Sequence, residues 1–280
     1  MPSMRHHLDL ASRTLKDGPH PNHARRDAEA LILHLLKKNK AWLMTHGDEL
    51  LGDLAQSYTE LLERRYKGEP IQYILGETEF YGLPFHITPD VLIPRPETEH
   101  LVERALELAA DSAAPRIVDI GTGSGAIAVV LAHKLPHAQI TAIDLSARVL
   151  AVARKNAQRS AVAIRFLEGD LLTPVAGEQF ELIVSNPPYV PTADRATLSV
   201  EVRDYEPALA LFAGDDGLEV YRRLIPAAFT ALVSGGFLLL EIGFGQSSAV
   251  GELLASAGFA QIEFVPDLQA IPRVACARRP

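Results

Sequence analysis

Arg116-Ile117-Val118-Asp119-Ile120-Gly121-Thr122-Gly123-Ser124-Gly125-Ala126 reads as a short apolar strand that runs into a glycine turn and then into a helix, Ala126 to Lys134. Glycines let the backbone turn tightly and approach a ligand closely, and a helix start points amide N–H groups outward. From this stretch onward strands and helices alternate. Gln139 to Ile143 is a strand ending at Asp144, Ser146 to Arg159 is a helix capped by Ser146, and Ala163 to Leu167 leads to Gly169-Asp170. Phe180 to Val184 is the fourth strand. Gly217 to Val233 is helical, with Pro226 as an interior kink or break. Phe237 to Ile242, a helix over Ser247 to Ala257, and closing strands at Phe259 to Val265 and Val274 to Ala277 complete the chain. Such alternation predicts an α/β fold, a parallel sheet covered by helices on both faces.

Upstream the pattern is different. Ala28, Leu31, Ile32, Leu35 and Leu36 form one helical stripe with Asn22 placed to cap it, and Leu54, Tyr58, Leu61 and Leu62 form another, with Asp53 as cap and Gly68 as stop. A weaker helix spans Leu8 to Leu15, and Trp42 is expected between helices as core filler. Tyr73 to Ile87 alternates around a Gly82-Leu83-Pro84 break, which predicts a β-hairpin. Pro96 suits the first turn of a helix over Glu97 to Ala110. Three segments follow: a helical bundle over 1–68, a hairpin linker over 69–94 and the sheet domain over 95–280.

The 280 residues, 48% apolar and 22% charged, are those of a soluble globular protein. A net charge of −8 argues against general affinity for nucleic acid phosphates. One cysteine, Cys276, excludes an internal disulfide and a Cys-based metal site, and the histidines lack ligand spacing, so no metal is expected. The start of the chain lacks the apolar stretch of a signal peptide, and the longest apolar run, Ala126 to Ala132, is too short for a bilayer. A cytoplasmic monomer is expected.

The reaction chemistry is expected at Asn186-Pro187-Pro188-Tyr189, where the fourth strand stops. Two prolines cannot donate backbone hydrogen bonds and each holds φ near about −65°, so the turn is stiff and its free backbone groups are mostly carbonyls. With an amide at one end and a ring at the other, it suits a planar NH2 group. By itself it reads more readily as a Pro-rich strand exit with a solvated Asn and a packed Tyr, and only its context turns the reading toward chemistry. On the nucleotide side, Gly121, Gly123 and Ala126 satisfy the dinucleotide fingerprint, so a nicotinamide dehydrogenase stays open. Asp144 could accept from both ribose hydroxyls or cap a helix, though Ser146 fills the cap better. Asp170 could accept from an adenine amine or mark a simple turn. Asp119, ahead of the glycines, suits a cationic sulfonium-amino acid cofactor better than a pyrophosphate. The loop of about twenty residues after Tyr189 is long for a connection and is expected to be functional.

Val118 to Gly125 resembles the cofactor loop of S-adenosylmethionine-dependent methyltransferases, and Asn186 to Tyr189 is similar to the turn of enzymes that methylate planar nitrogens. Together with Leu92-Ile93-Pro94-Arg95-Pro96-Glu97-Thr98-Glu99, Arg203-Asp204-Tyr205-Glu206-Pro207, Gly214 to Gly217 and Ile271-Pro272-Arg273-Val274, the chain resembles the release factor glutamine methyltransferase (HemK-type) family over nearly its whole length. Ala270 stands where a glycine is expected. The resemblance implies a Rossmann-like class I methyltransferase sheet and N5-methylation of the glutamine in the Gly-Gly-Gln motif of peptide chain release factors. It implies S-adenosyl-L-methionine held by Asp119, Gly121, Thr122, Gly123, Ser124, Gly125, Asp144, Asp170, Leu171 and Asn186. Asn186 and Pro187 would accept from the substrate amide, with Pro188 shaping the turn and Tyr189 stacking on the amide plane. The helical domain would recognise the release factor. The competing reading is a DNA adenine-N6 or cytosine-N4 amine methyltransferase. It shares the turn but would usually bring a basic groove. A dehydrogenase leaves Asn186 to Tyr189 unexplained, and a noncatalytic cofactor-binding module leaves the reaction end without a purpose.

Overall fold

A computed structural model describes residues 2–110 and 112–280. It divides into two compact units. The first comprises residues up to Glu77 together with Leu198–Tyr205, and the second comprises Thr78–Thr197 with Glu206–Pro280.

The first unit is helical. Helix Met4–Lys16 is fuller than its weak stripe suggests: Ser3 Oγ accepts from His6 N at 3.3 Å, and Met4, Leu8, Ala11 and Leu15 are buried on one face. Helix Ala24–Leu36 begins off a 3-10 turn, Pro21–His23, with no side-chain cap, so Asn22 does not cap it. Asp53 precedes helix Leu54–Tyr66 but is itself in helical φ/ψ and makes no capping bond. Trp42 lies within helix Lys40–His46 rather than between helices. Asn39 Oδ1 caps that helix by accepting from Trp42 N at 2.9 Å, and the Trp42 ring stacks on His46. Leu31 and Ile32 are fully buried, and each such side chain stabilises by roughly 1.5–3 kcal/mol. Tyr58 donates to Ala28 O at 3.0 Å across the core.

Leu198–Tyr205 belongs to this unit although it comes from the long loop after Tyr189. Its short helix, Val200–Tyr205, sets Val200 against Gly68, where a Cβ would stand 2.6 Å from Val200 Cγ1. Tyr205 donates to Lys67 O at 3.1 Å.

The second unit opens with a smaller hairpin than predicted. Ile71–Leu75, in the first unit, is helical, and only β1 (Glu77–Phe80) and β2 (Leu83–His86) pair. The turn is Tyr81-Gly82, not Gly82-Leu83-Pro84, and both residues have positive φ, which suits a two-residue hairpin loop. Helix Thr98–Ala109 starts after Pro96 rather than including it.

The large sheet contains β3 (Arg116–Ile120), β4 (Gln139–Asp144), β5 (Arg165–Glu168), β6 (Phe180–Ser185), β7 (Leu232–Glu241), β8 (Ala260–Pro266) and β9 (Pro272–Arg278), in the order β5-β4-β3-β6-β7-β9-β8. The first five strands are parallel. The closing pair is antiparallel, with β9 between β7 and β8, so the sheet is mixed. In β3 every residue from Ile117 to Ile120 is buried; consecutive side chains alternate faces, so both faces are covered. Helix Glu219–Ala231 runs through Pro226 without breaking. Among the described residues no helix is long and apolar enough to cross a membrane.

Candidate active site at the carboxyl edge of the sheet

The strand order reverses between β3 and β6, because the chain lays β4 and β5 on one side and then crosses to the other. Open α/β sheets bind ligands at such a switch point, outside the carboxyl ends of the strands. Here Ile120 pairs with Ser185, and Ser185 with Leu240. The glycine turn, Asn186 and Glu241 therefore leave three neighbouring strands side by side, and Ser185 Oγ locks two of them by donating to Ile120 O at 2.7 Å.

The glycine turn is built on the neighbouring strand: Gly121 N and Thr122 N both donate to Ile143 O, at 2.9 and 3.0 Å. Gly121 and Gly123 have φ of 68° and 57°, a region that L side chains rarely adopt. Apart from its own chain neighbours, none of the described residues comes within 4 Å of where a Gly121 Cβ would stand, which leaves that side open to a ligand. Gly125 caps helix Ala126–Lys134, and there a Cβ would press on Ala153 at 3.1 Å. Ser124 is buried, and its carbonyl accepts from Asn156 Nδ2 at 2.9 Å. Asn156 also bonds both ways with the hairpin, donating to His86 O and accepting from His86 N.

Asp119 is fully buried below this turn. Its Oδ2 accepts from Thr122 Oγ1 at 2.7 Å, whereas its Oδ1 makes no hydrogen bond among the described residues, with only the Ala128 N–H favouring the ion from further off. Burial pushes this carboxyl up to about 7. A half-satisfied carboxylate in the interior is costly unless a positive group pairs with it, so this site fits a cationic ligand. Asp144, at the end of β4, accepts from Gly123 N at 3.0 Å and Ser146 N at 3.2 Å, and burial raises its carboxyl as well. The capping position belongs to Ser146, which accepts from Val149 N. Each Asp144 oxygen retains a lone pair for a hydroxyl. Asp170 lies further out and is ion-paired with Arg223, so its carboxylate already has a protein partner; the neighbouring Leu171 has a φ of 49°.

At the reaction end, Asn186 Nδ2 donates to Thr98 Oγ1 at 3.2 Å, and Thr98 Oγ1 donates to Glu241 Oε2 at 2.6 Å. Tyr189 donates to the other oxygen, Glu241 Oε1, at 3.3 Å. Tyr221 donates to the Glu241 carbonyl at 2.7 Å. Glu241 is buried, and burial pushes its carboxyl up to about 7, with Glu97 nearby acting in the same direction. The chain after Tyr189 is pinned by Gln246 Nε2 donating to Tyr189 O at 3.0 Å. Gly217 is needed there because a Cβ would stand 2.3 Å from that same carbonyl.

Glu241 and Gln246 were not among the residues singled out by the sequence, and Thr98 stood only within the Leu92 to Glu99 stretch with no role of its own. Glu241 carries the clearest missed signal, a lone acid ending the apolar run Phe237 to Leu240. The Pro94 to Glu99 stretch also gains a physical explanation. Arg95 pairs with buried Glu206, Thr98 reaches Glu241, and Glu99 Oε1 accepts from Tyr81 N at 2.8 Å.

Two protein families match the chain: methyltransferase small domain over residues 98–202, and PrmC N-terminal domain over residues 7–76. The chain is 42% identical to a release factor glutamine methyltransferase of Koribacter versatilis over 276 residues, 98% of this chain and 95% of that one. It is 45% identical to one from Geobacter sulfurreducens over 257 residues, covering 91% and 89%. Among solved structures, a methyltransferase from Pyrococcus furiosus superposes with a TM-score of 0.53 at 19% identity, covering 71% of this chain and 90% of that one. The T. thermophilus 16S rRNA N2 G1207 methyltransferase, in complex with AdoMet and guanosine, gives 0.55 at 19%, covering 73% and 50%. At that identity these two likenesses establish the fold alone.

Proposed function

This chain belongs to the release factor glutamine methyltransferase family, and we propose that its Asn186–Tyr189 turn presents the glutamine of a release factor to a methyl donor held by the Gly121–Gly125 loop. It methylates release factor glutamine as a protein-glutamine N-methyltransferase. The donor is S-adenosylmethionine, which supplies an electrophilic methyl group on a sulfonium centre. The observation that carries this reading is the Ile120–Ser185 pairing, which brings the glycine turn and Asn186 to adjacent strand ends at the switch point.

Asp119, with a buried oxygen left without a hydrogen bond among the described residues, would face the cationic end of the donor. The open face of Gly121 would let the backbone lie against it, alongside Thr122, Gly123, Ser124 and Gly125, and Asp144 would accept from the ribose hydroxyls. Asp170 and Leu171 would border the adenine, with the Asp170 carboxylate shared with Arg223. The target is the side-chain amide nitrogen, N5, of the glutamine in the Gly-Gly-Gln motif. An amide nitrogen is a poor nucleophile because its lone pair is delocalised into the carbonyl. Asn186 Oδ1 and the Pro187 carbonyl would accept its two N–H groups and aim the nitrogen at the methyl carbon, Pro188 would stiffen the turn, and Tyr189 would cover the amide plane. Positioning of this kind is worth on the order of 7–11 kcal/mol in favourable cases.

Residues 1–68 serve as the domain that recognises the release factor, 69–94 as the link and 95–280 as the methyltransferase domain. We read the enzyme as a cytoplasmic monomer without direct nucleic acid contacts, the last of these supported by its net charge of −8. Methyl-labelled S-adenosylmethionine should label an intact release factor but neither its Gln-to-Ala loop variant nor unmethylated DNA. Label on DNA would instead establish the amine methyltransferase of nucleic acids.

A further inference from the structure

The two ends of the Asn186–Tyr189 turn converge on one buried acid, Glu241, and the polarity of that network has a consequence for the substrate. We propose that Glu241, acting as a carboxylate through Thr98, fixes which way the Asn186 side-chain amide faces, so that Asn186 Oδ1 is turned toward the substrate nitrogen. This rests on the glutamine reading above.

The carboxamide of asparagine is nearly symmetric in shape, so packing alone scarcely distinguishes its oxygen from its nitrogen. Its two orientations have opposite effects on a substrate amide. One offers an acceptor to the N–H groups, and the other sets donor against donor. Hydrogen-bond directionality makes the choice. An ionised carboxylate only accepts. Thr98 has a single hydroxyl hydrogen, and it is committed to Glu241 Oε2 at 2.6 Å, a length typical of charge-assisted bonds. Thr98 Oγ1 can then only accept from Asn186, which must therefore present Nδ2, as it does at 3.2 Å. Tyr189 donates to Oε1, so the same carboxylate holds the ring at the other end of the turn. The chain thus retains a fully buried acid at the end of an apolar strand, a costly arrangement that these two donors offset.

Protonation of Glu241 would reverse this order, because an oxygen carrying a proton becomes a donor to Thr98 and frees the Thr98 hydrogen to point at Asn186. The groups facing Glu241 are Thr98 and Glu97 at the helix start, Tyr189 in the turn, and Arg273 on β9, with the Tyr221 hydroxyl on the Glu241 carbonyl. Burial and Glu97 favour the neutral acid, whereas Thr98, Tyr189 and Arg273 favour the ion. Glu241 and Thr98 are in this reading positioning residues, acting on the substrate only through Asn186.

The test uses the full chain, S-adenosylmethionine and an intact release factor. Thr98→Val keeps the shape of the side chain but removes the relay. It should lower kcat on the order of 10²-fold while the cofactor Kd stays within about threefold, and Thr98→Ser should restore kcat to within about threefold of wild type. The wild type should show an acid limb in its kcat–pH profile, and Glu241→Gln should abolish it. A Thr98→Val enzyme with wild-type kcat, a Ser variant as slow as the Val variant, or an unchanged acid limb in Glu241→Gln would each overturn the proposal. An activity-free measurement separates it from the substrate assignment. In 15N-labelled protein the Asn186 side-chain NH2 should exchange slowly with water in wild type and quickly in Thr98→Val. Equal exchange in the two would overturn the relay even if release factor were not the substrate. If wild type leaves release factor unlabelled, the substrate reading fails while this exchange result still decides the relay.

Discussion

Arg65 forms a buried ion pair with Asp27, donating to its Oδ2 at 2.7 Å, and at the same time pairs with the half-buried Glu201, 136 residues further along the chain. The guanidinium also donates to Glu69 O at 2.9 Å, so one side chain ties the helical unit together and holds the Leu198–Tyr205 segment in it. Removing one member of a buried pair leaves an uncompensated charge, typically at about 3–5 kcal/mol. Arg65→Ala should lower stability by about that much in urea titration, and Arg65→Met combined with Asp27→Leu should recover most of the loss. An unchanged unfolding midpoint in the single variant would remove this pair from the account of the fold.

Asn156 links the hairpin to the glycine turn through three hydrogen bonds, one to Ser124 O and two with His86. Asn156→Leu keeps the volume but strands those backbone groups, at about 1–3 kcal/mol each. The expected result is a lower Tm and a weaker cofactor Kd together, since the residue after Ser124 begins the helix below the turn. Loss of Tm with unaltered Kd would confine its role to the hairpin.

Burial raises the carboxyls of Asp119 and Glu241 to about 7, well above their ordinary range. Because both are raised on folding, the folded protein keeps protons that the unfolded chain releases between pH of about 4 and about 7. Stability from these groups is therefore fully present below their unfolded pKa and declines as pH rises to neutrality, by at most on the order of 2–4 kcal/mol per group. Thermal unfolding of the cofactor-free protein at pH 5.5 and 7.5 should show this decline, and Asp119→Asn should flatten it. A variant with the wild-type slope would show that Asp119 is already ionised at the lower pH.

Ala270 has a φ of 61° in the turn between β8 and β9, the position where the family resemblance leads one to expect glycine. The turn is held by Asp267, whose carboxylate accepts from Gln269 N and Ile271 N, so the chain keeps the left-handed conformation despite the Cβ. That conformation costs an L residue roughly 1–2 kcal/mol, against about 0.5–1 kcal/mol for the added freedom of an unfolded glycine. Ala270→Gly should raise stability by up to about 1 kcal/mol. A clear drop in Tm would mean that the alanine methyl packs usefully.

Asn186→Ala should reduce methyl transfer on the order of 10³-fold or more, a loss well beyond any weakening of the cofactor Kd that isothermal titration would measure. Retained transfer would exclude Asn186 as an acceptor of the substrate amide.

The alternation after Arg116 was legible because strand and helix periods differ, and the glycine turn because glycine adopts the φ of 57–68° found at Gly123 and Gly121 without the cost an L side chain bears there. These are local properties, written in neighbouring residues. The same holds for the stiff Asn186–Tyr189 turn. Cap assignments at Asn22 and Asp53 failed because the actual helix starts lack side-chain capping bonds, and spacing alone cannot report that.

What the sequence determined by itself was thus the fold class, the two motifs at strand ends and the family to which the chain belongs. Tertiary structure alone decided that β3 and β6 are neighbours, that β9 enters the sheet antiparallel, and that Leu198–Tyr205 belongs with the helices. It alone joined Asn186 to Thr98, 88 residues away, and Thr98 to Glu241, 143 residues away. The reason is physical. A buried acid is tolerated only where distant donors converge on it, and convergence is a property of the folded chain that no stretch of sequence contains.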